Sequence, residues 1–140
     1  MTHYRTAMRA GLRAALAAHP VFGGLRQMSA WAQDIDAESL PILSVVTPRE
    51  VKDLDAFDRA LRETTLVVIV KRLGADTLED QLDEDSAGLE RACLATLETL
   101  AVEAELQSTD VQLDGKGEQR LGTLIMTFRV RQWLPDPLQL

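Results

Sequence analysis

A length of 140 residues, with 22 acidic and 15 basic side chains and a formal net charge of -7, suits one domain that can bury a core without covalent staples. A composition of 46% hydrophobic and 26% charged residues excludes the disordered and fibrous classes. The acidic balance argues against a dedicated nucleic-acid binder and against docking on an anionic membrane surface.

Along the chain, residues 2–18 repeat with helical spacing. Tyr4, Met8, Leu12, Ala15 and Leu16 form an apolar stripe beside a basic row of Arg5, Arg9 and Arg13, which reads as a solvated helix face, with a contact to an acidic neighbour as the alternative. Pro20 and Gly23-Gly24 end this helix, and a loop with Trp31 follows. Pro41 introduces a first strand, residues 42–47, which Pro48 ends. Residues 49–63 read as a charged connection of both signs with a helical turn around Phe57. The nearly continuous apolar run 64–70 predicts a central strand covered on both faces.

Gly74 and Thr77 announce a long second helix, with Thr77 or Asp76 placed to accept from its first free amides. Its stripe is Leu78, Leu82, Leu89, Cys93, Leu97 and Leu100, and Gly88 is a weak point within it. The charge imbalance sits here. From Asp76 to Glu90 there are seven acids (Asp76, Glu79, Asp80, Asp83, Glu84, Asp85, Glu90) and no base, while the rest of the chain holds 15 of each sign.

The last third predicts a β-hairpin. Thr109, Val111 and Leu113 alternate with Asp110, Gln112 and Asp114, residues 114–118 turn, and residues 121–133 return. Leu124, Met126, Phe128 and Val130 face the core, and Thr123, Ile125, Thr127, Arg129, Arg131 and Trp133 face away. Pro135 and Pro137 stop the strand and leave residues 134–140 as a Pro-rich tail. The expected fold is therefore a single α+β domain in the order α-β-β-α-β-β. Its four-stranded sheet is mixed or mainly antiparallel, with the helices on one face.

The inventory of reactive groups is thin. Cys93 is the only cysteine and lies on an apolar stripe, so it reads as a core residue and no disulfide is expected. His3 and His19 cannot build a zinc site with one cysteine, and no nucleophile elbow or phosphate loop occurs. Asp83-Glu84-Asp85-Ser86-Ala87-Gly88 begins like a calcium loop but lacks oxygen ligands at Ala87 and Leu94. No catalytic, cofactor or metal residues are assigned, and no enzyme is expected. Neither a signal peptide nor a membrane span is expected, which suggests assembly in a cytoplasm. The outer face of the final strand mixes threonine, arginine and tryptophan, a composition suited to protein contacts.

Taken in order, these pieces resemble the tail terminator proteins of long-tailed bacteriophages, the family of the lambdoid minor tail protein U. The likeness runs from His3 to Trp133. It includes the helix with Leu12-Arg13-Ala14-Ala15-Leu16 and the segment Leu40-Pro41-Ile42-Leu43-Ser44-Val45, similar to the family's Leu/Phe-Pro-x-x-x-Val strand. The strand 66–70, the acid-started helix at Asp76 and the closing hairpin complete it. The longer second helix and the Pro-rich end depart from the family pattern.

The resemblance implies a structural virion protein. Such a protein forms a six-fold ring that caps the tail tube, stops its growth and offers a docking surface to the head. The implied partners are further copies of the chain, the tail tube protein and a head-completion protein, with DNA passing through unbound. A closed ring needs two different patches on each subunit. Exposure and charge nominate Arg49, Glu50, Lys52, Asp53, Arg59, Arg62, Lys116, Arg129 and Arg131 for inter-subunit or partner contacts. Glu79, Asp80, Asp83, Glu84 and Asp85 are candidates for an acidic band at the channel or its rim. The alternatives are another neck or connector component, or a cytoplasmic module that recognises a basic protein through its acidic helix.

Overall fold

Helix α1 (Tyr4–Ala17) forms where the 3.6-residue stripe predicts it, and Met8, Leu12 and Leu16 are fully buried. Burying side chains of this size contributes about 1.5–3 kcal/mol each. His3 caps the helix, its Nδ1 accepting from the Arg5 amide at 3.1 Å. The computed structural model describes residues 3–28, 40–56, 59–100, 102–115 and 119–135.

The basic row of α1 is not a solvated face. Arg13 Nη2 donates to the Val45 carbonyl at 3.0 Å, Arg9 donates to the Thr47 hydroxyl, and Arg5 lies 3.9 Å from the Glu50 carboxylate. Three arginines one turn apart therefore fasten the helix along a neighbouring strand.

After a 3-10 turn (Phe22–Gly24) comes β1 (Arg26–Met28), in a stretch whose sequence reads as loop. Next are β2 (Ile42–Ala56), β3 (Arg59–Gly74), α2 (Leu78–Thr99), β4 (Glu103–Asp114) and β5 (Arg120–Pro135). The sheet has five strands in the order β1-β2-β3-β5-β4. β1 runs parallel to β2 and the other neighbours are antiparallel, so the sheet is mixed and the class is α+β. The expected count of four strands misses β1, whose three residues are too short to show a period.

The larger correction concerns residues 49–63. They are not a connection but the outer halves of β2 and β3, paired from Arg49↔Thr65 to Ala56↔Arg59. Pro48 does not end the strand. It falls in a register shift between Val46 and Arg49, the kind of place where an edge strand tolerates a residue without an N–H. The helical turn placed at Phe57 lies outside the described residues. β5 follows β3 along its whole length, from Gly74↔Arg120 to Arg59↔Pro135. The sheet thus continues past the helix-covered core as an arm.

Both helices pack on one face. Leu43, Val45, Leu66, Val68, Val70, Leu124, Met126, Phe128 and Val130 meet the helix stripes in one buried cluster. In α2, Leu78, Leu82, Leu89, Cys93 and Leu97 are buried as the spacing predicts, whereas Leu100 is part-exposed at the C-terminus. The helix begins with Glu79 and Asp80 in its first turn, but the Thr77 side chain makes no capping bond. The opposite face holds a smaller cluster of Val46, Val67 and Ile69 with Ile125 against it.

Gly88 is a packing requirement rather than only a weak point. A Cβ there would stand 3.0 Å from Phe22 Cζ and 3.3 Å from Cε2, and Phe22 is fully buried. On an open helix face, glycine to alanine stabilises by about 1 kcal/mol. Here displacement of the Phe22 ring offsets that gain, so Gly88→Ala should leave the urea midpoint unchanged or lower. A midpoint raised by the full propensity difference would show that Phe22 does not need the space.

Candidate functional site

The sequence nominates surface charge on the arm, on the last strand and on α2. The structure separates these nominees into groups with different surroundings.

At the base of the arm, on the helix side, Glu50 and Arg62 face inward and are tied together. Arg62 Nη1 donates to Glu50 Oε2 at 3.2 Å, and both side chains are about seven-eighths buried. The Tyr4 hydroxyl donates to Glu50 Oε1, and the Thr64 hydroxyl donates to the same oxygen at 3.4 Å. The Arg62 guanidinium also lies over the Tyr4 ring, 5.6 Å from its centroid. Burial raises the Tyr4 pKa above 10.0, and the bond to Glu50 raises it further by keeping the phenolic proton in use. This cluster holds the start of α1 onto the arm. Sequence reasoning misses Tyr4 because it counts only as a member of the apolar stripe.

Farther out, Arg49, Lys52, Asp53 and Arg59 are exposed on the arm, where Val51 is 46% and Leu54 66% exposed. On β5, Trp133 pairs in register with Leu61 and is 44% exposed. Large apolar side chains flanked by charges, on strands that leave the core, form a surface suited to protein contact. Val51 and Leu54 are singled out only once the arm is known to be a strand pair.

On the face away from the helices, Arg129 and Arg131 belong to a network that the candidate residues alone do not reveal. Glu63 lies 3.2 Å from Arg131 Nε and 3.8 Å from Arg129 Nη1, and Glu105 lies 2.6 Å from Arg129 Nη2. Register brings the four residues together: Glu63↔Arg131 and Thr65↔Arg129 from β3, and Glu105↔Arg129 from β4. The pairs are part-exposed, so each contributes little alone, and the network chiefly fixes where the charges stand.

Along α2, Glu79, Asp80, Asp83 and Glu84 are exposed, whereas Asp85 is not. Asp85 is 4% exposed and takes two bonds from Arg72 on β3, 2.6 Å from Nε and 3.2 Å from Nη2. Its place in a solvated acidic band is therefore corrected: it is the inward half of a buried ion pair. The calcium-loop-like start, Asp83 to Gly88, lies inside the continuous helix. Lys116 falls outside the described residues. Cys93 is fully buried and burial pushes its thiol up to about 12, so it is not poised as a nucleophile.

What the arrangement offers, then, is contact surfaces held rigid by internal ion pairs. No protein-family model matches the sequence, and no curated protein matches it either. Among solved structures the chain is similar to one from the virion of a native gene transfer agent particle. The TM-score is 0.50 at 13% identity, over 94% of this chain and 100% of that one. At that identity the likeness is one of fold.

Proposed function

We propose that the chain is a structural virion protein, and within that class a tail terminator: a ring-forming subunit that caps a tail tube, stops its polymerisation and receives the head. The observation that carries the reading is the fold likeness to a gene transfer agent virion chain, which spans that chain completely and nearly all of this one. The resemblance of the strand and helix order to the tail terminator family supports the finer assignment. The molecule then works by recognition without catalysis, and its partners are further copies of itself, a tube protein and a head-completion protein.

In this reading the two faces of the arm supply two different patches for a heterologous contact. Lys52 and Leu54 stand on the helix side and belong to the first patch. Arg49, Val51, Asp53 and Arg59 share the other face with Arg129, Arg131 and Trp133 and form the second. Glu50 and Arg62 act from beneath by fixing the arm's direction. Glu79, Asp80, Asp83 and Glu84, repeated around a ring, form an acidic band at the channel or its rim that keeps passing DNA from adhering.

Light scattering coupled to gel filtration, with negative-stain images in the presence of tail tubes, tests the proposal. A ring of about six subunits, or rings at tube ends, is the expected result. Rings that bind a head connector but never a tube would reassign the chain to the neck. A strict monomer that leaves tube ends bare would overturn the reading.

A further inference from the structure

The two sides of the sheet differ in how their edges are closed. On the β2 side, Arg13 of α1 donates to the Val45 carbonyl, β1 covers Ile42 to Ser44, and Pro48 sits in a bulge. These devices guard residues 42–48, whereas the outer half of β2, from Arg49 to Ala56, has no described strand on its other side. On the other side β4 is the last strand. It contains no proline, every residue from Gln107 to Asp114 is exposed, and no described strand pairs with its outer edge.

The side chains of β4 are sorted by chemistry. Pairing places Glu103, Glu105, Asp110 and Asp114 opposite Arg131, Arg129, Ile125 and Leu121, on the face away from the helices. Ala104, Leu106, Thr109, Val111 and Leu113 stand opposite Val130, Phe128, Met126, Leu124 and Gly122, on the helix side. The register shift between Leu106 and Ser108 keeps the two halves in phase: an uninterrupted alternation would put the later acids on the helix side. Val111 and Leu113 are 38% and 39% exposed. Glu105 is paired with Arg129, whereas Glu103, Asp110 and Asp114 have no ion pair among the described residues.

We propose that the outer edge of β4 accepts an extended segment of a partner protein in which basic and apolar side chains alternate, adding a further strand to the sheet. Main-chain bonds to the open edge supply the attachment, and alternate side chains supply the selectivity. Basic residues of the segment come to lie beside the acidic row, and apolar ones beside Val111 and Leu113. The same acids set the limits of recognition. Two β4 edges brought together would face carboxylates with carboxylates, which opposes pairing between copies through this edge. Among the described residues the edge is open in the free chain, whatever ring that chain joins.

The test uses the full chain and three short blocked peptides: alternating Lys and Val, alternating Glu and Val, and the Lys–Val peptide N-methylated along its pairing edge. Amide hydrogen exchange is followed at residues 107–114. At a concentration near ten times its dissociation constant, the Lys–Val peptide should slow exchange there about tenfold. The Glu–Val and N-methylated peptides should not. Asp110→Lys combined with Asp114→Lys, both exposed positions, should transfer the preference to the Glu–Val peptide. Equal protection by the N-methylated peptide would reduce the effect to charge attraction and overturn strand addition. Protection that maps to the acids of α2, or is absent with every peptide, overturns it as well. Protection rising with protein concentration alone would assign the edge to a second copy instead.

Discussion

Replacing Asp85 with alanine should destabilise the protein by about 3 kcal/mol, because it leaves the Arg72 guanidinium buried without a counter-charge. Arg72 projects from β3 toward α2 with 14% of its side chain exposed, and Asp85, with 5% of its side chain exposed, meets it with two bonds. Removing one partner loses those bonds and strands a charge that water reaches poorly. Removing both is a different experiment. Arg72→Met with Asp85→Leu replaces the pair by apolar groups in a mainly apolar setting, and the double variant should stand within about 1 kcal/mol of the parent. Asp85→Asn, which keeps an acceptor but loses the charge, should fall between. Urea unfolding of the parent and the three variants measures all of this, and adding the single variants Arg72→Met and Asp85→Leu completes a double-mutant cycle. A cost below about 1 kcal/mol for Asp85→Ala would show that Arg72 relaxes into solvent and that the pair does not hold α2 to the sheet.

That pair also shows how much a sequence can disclose. The stripe of α2 steps from Leu82 to Leu89, a gap of two turns, and Asp85 fills it at the right spacing. Its neighbours Asp83 and Glu84 are chemically alike, so composition alone presents an undivided acidic run. Only the period distinguishes the inward acid from the outward ones, and the partner, Arg72, is on another element. The core side of β5 and the stripes of both helices are legible because one face is buried and the period is therefore enforced. The arm is not legible, since among the described residues of its outer half only Ala60 is fully buried, too little to impose alternation. Charged pairs such as Glu50 with Arg62 replace apolar contacts there, and Pro48 imitates a strand end. The arginine row of α1 is a third case. Its spacing is plain, but whether it faces water or a strand depends on where β2 runs.

Position therefore matters more than composition for the surface chemistry as well. Of the residues nominated by charge, Glu50, Arg62 and Asp85 turn inward and stiffen the scaffold. The exposed remainder is grouped by the register of β2, β3, β4 and β5 into an arm and two faces. A module that recognises other chains needs both parts. Contacts offered from strands cost less ordering on binding than contacts offered from loops, and internal ion pairs at the arm's base keep its strands in place.

The same burial that keeps Cys93 from acting as a nucleophile gives the protein an alkaline weakness. Cys93 is fully enclosed on α2, and its thiol is pushed from 9.0 up to about 12 by loss of solvation. Below pH 9 the thiol is protonated in both the folded and the unfolded chain, and the shift has no effect on stability. Between pH 9 and 12 the unfolded chain releases a proton that the folded chain retains, so unfolding becomes progressively easier. The stability lost should reach about 3 kcal/mol by pH 11. Tyr4, whose pKa is also raised, weakens the fold in the same range, as do other groups titrating there, so the absolute curve cannot isolate the thiol. The difference between wild type and Cys93→Ala does, because those other groups are common to both. At pH 8 the wild type should be the more stable by about 1 kcal/mol, the cost of a small buried truncation. By pH 11 the order should be reversed, with Cys93→Ala ahead. A difference that stays flat from pH 8 to 11 would mean that the thiolate is accommodated in the folded state and that the α2 core admits water beside it.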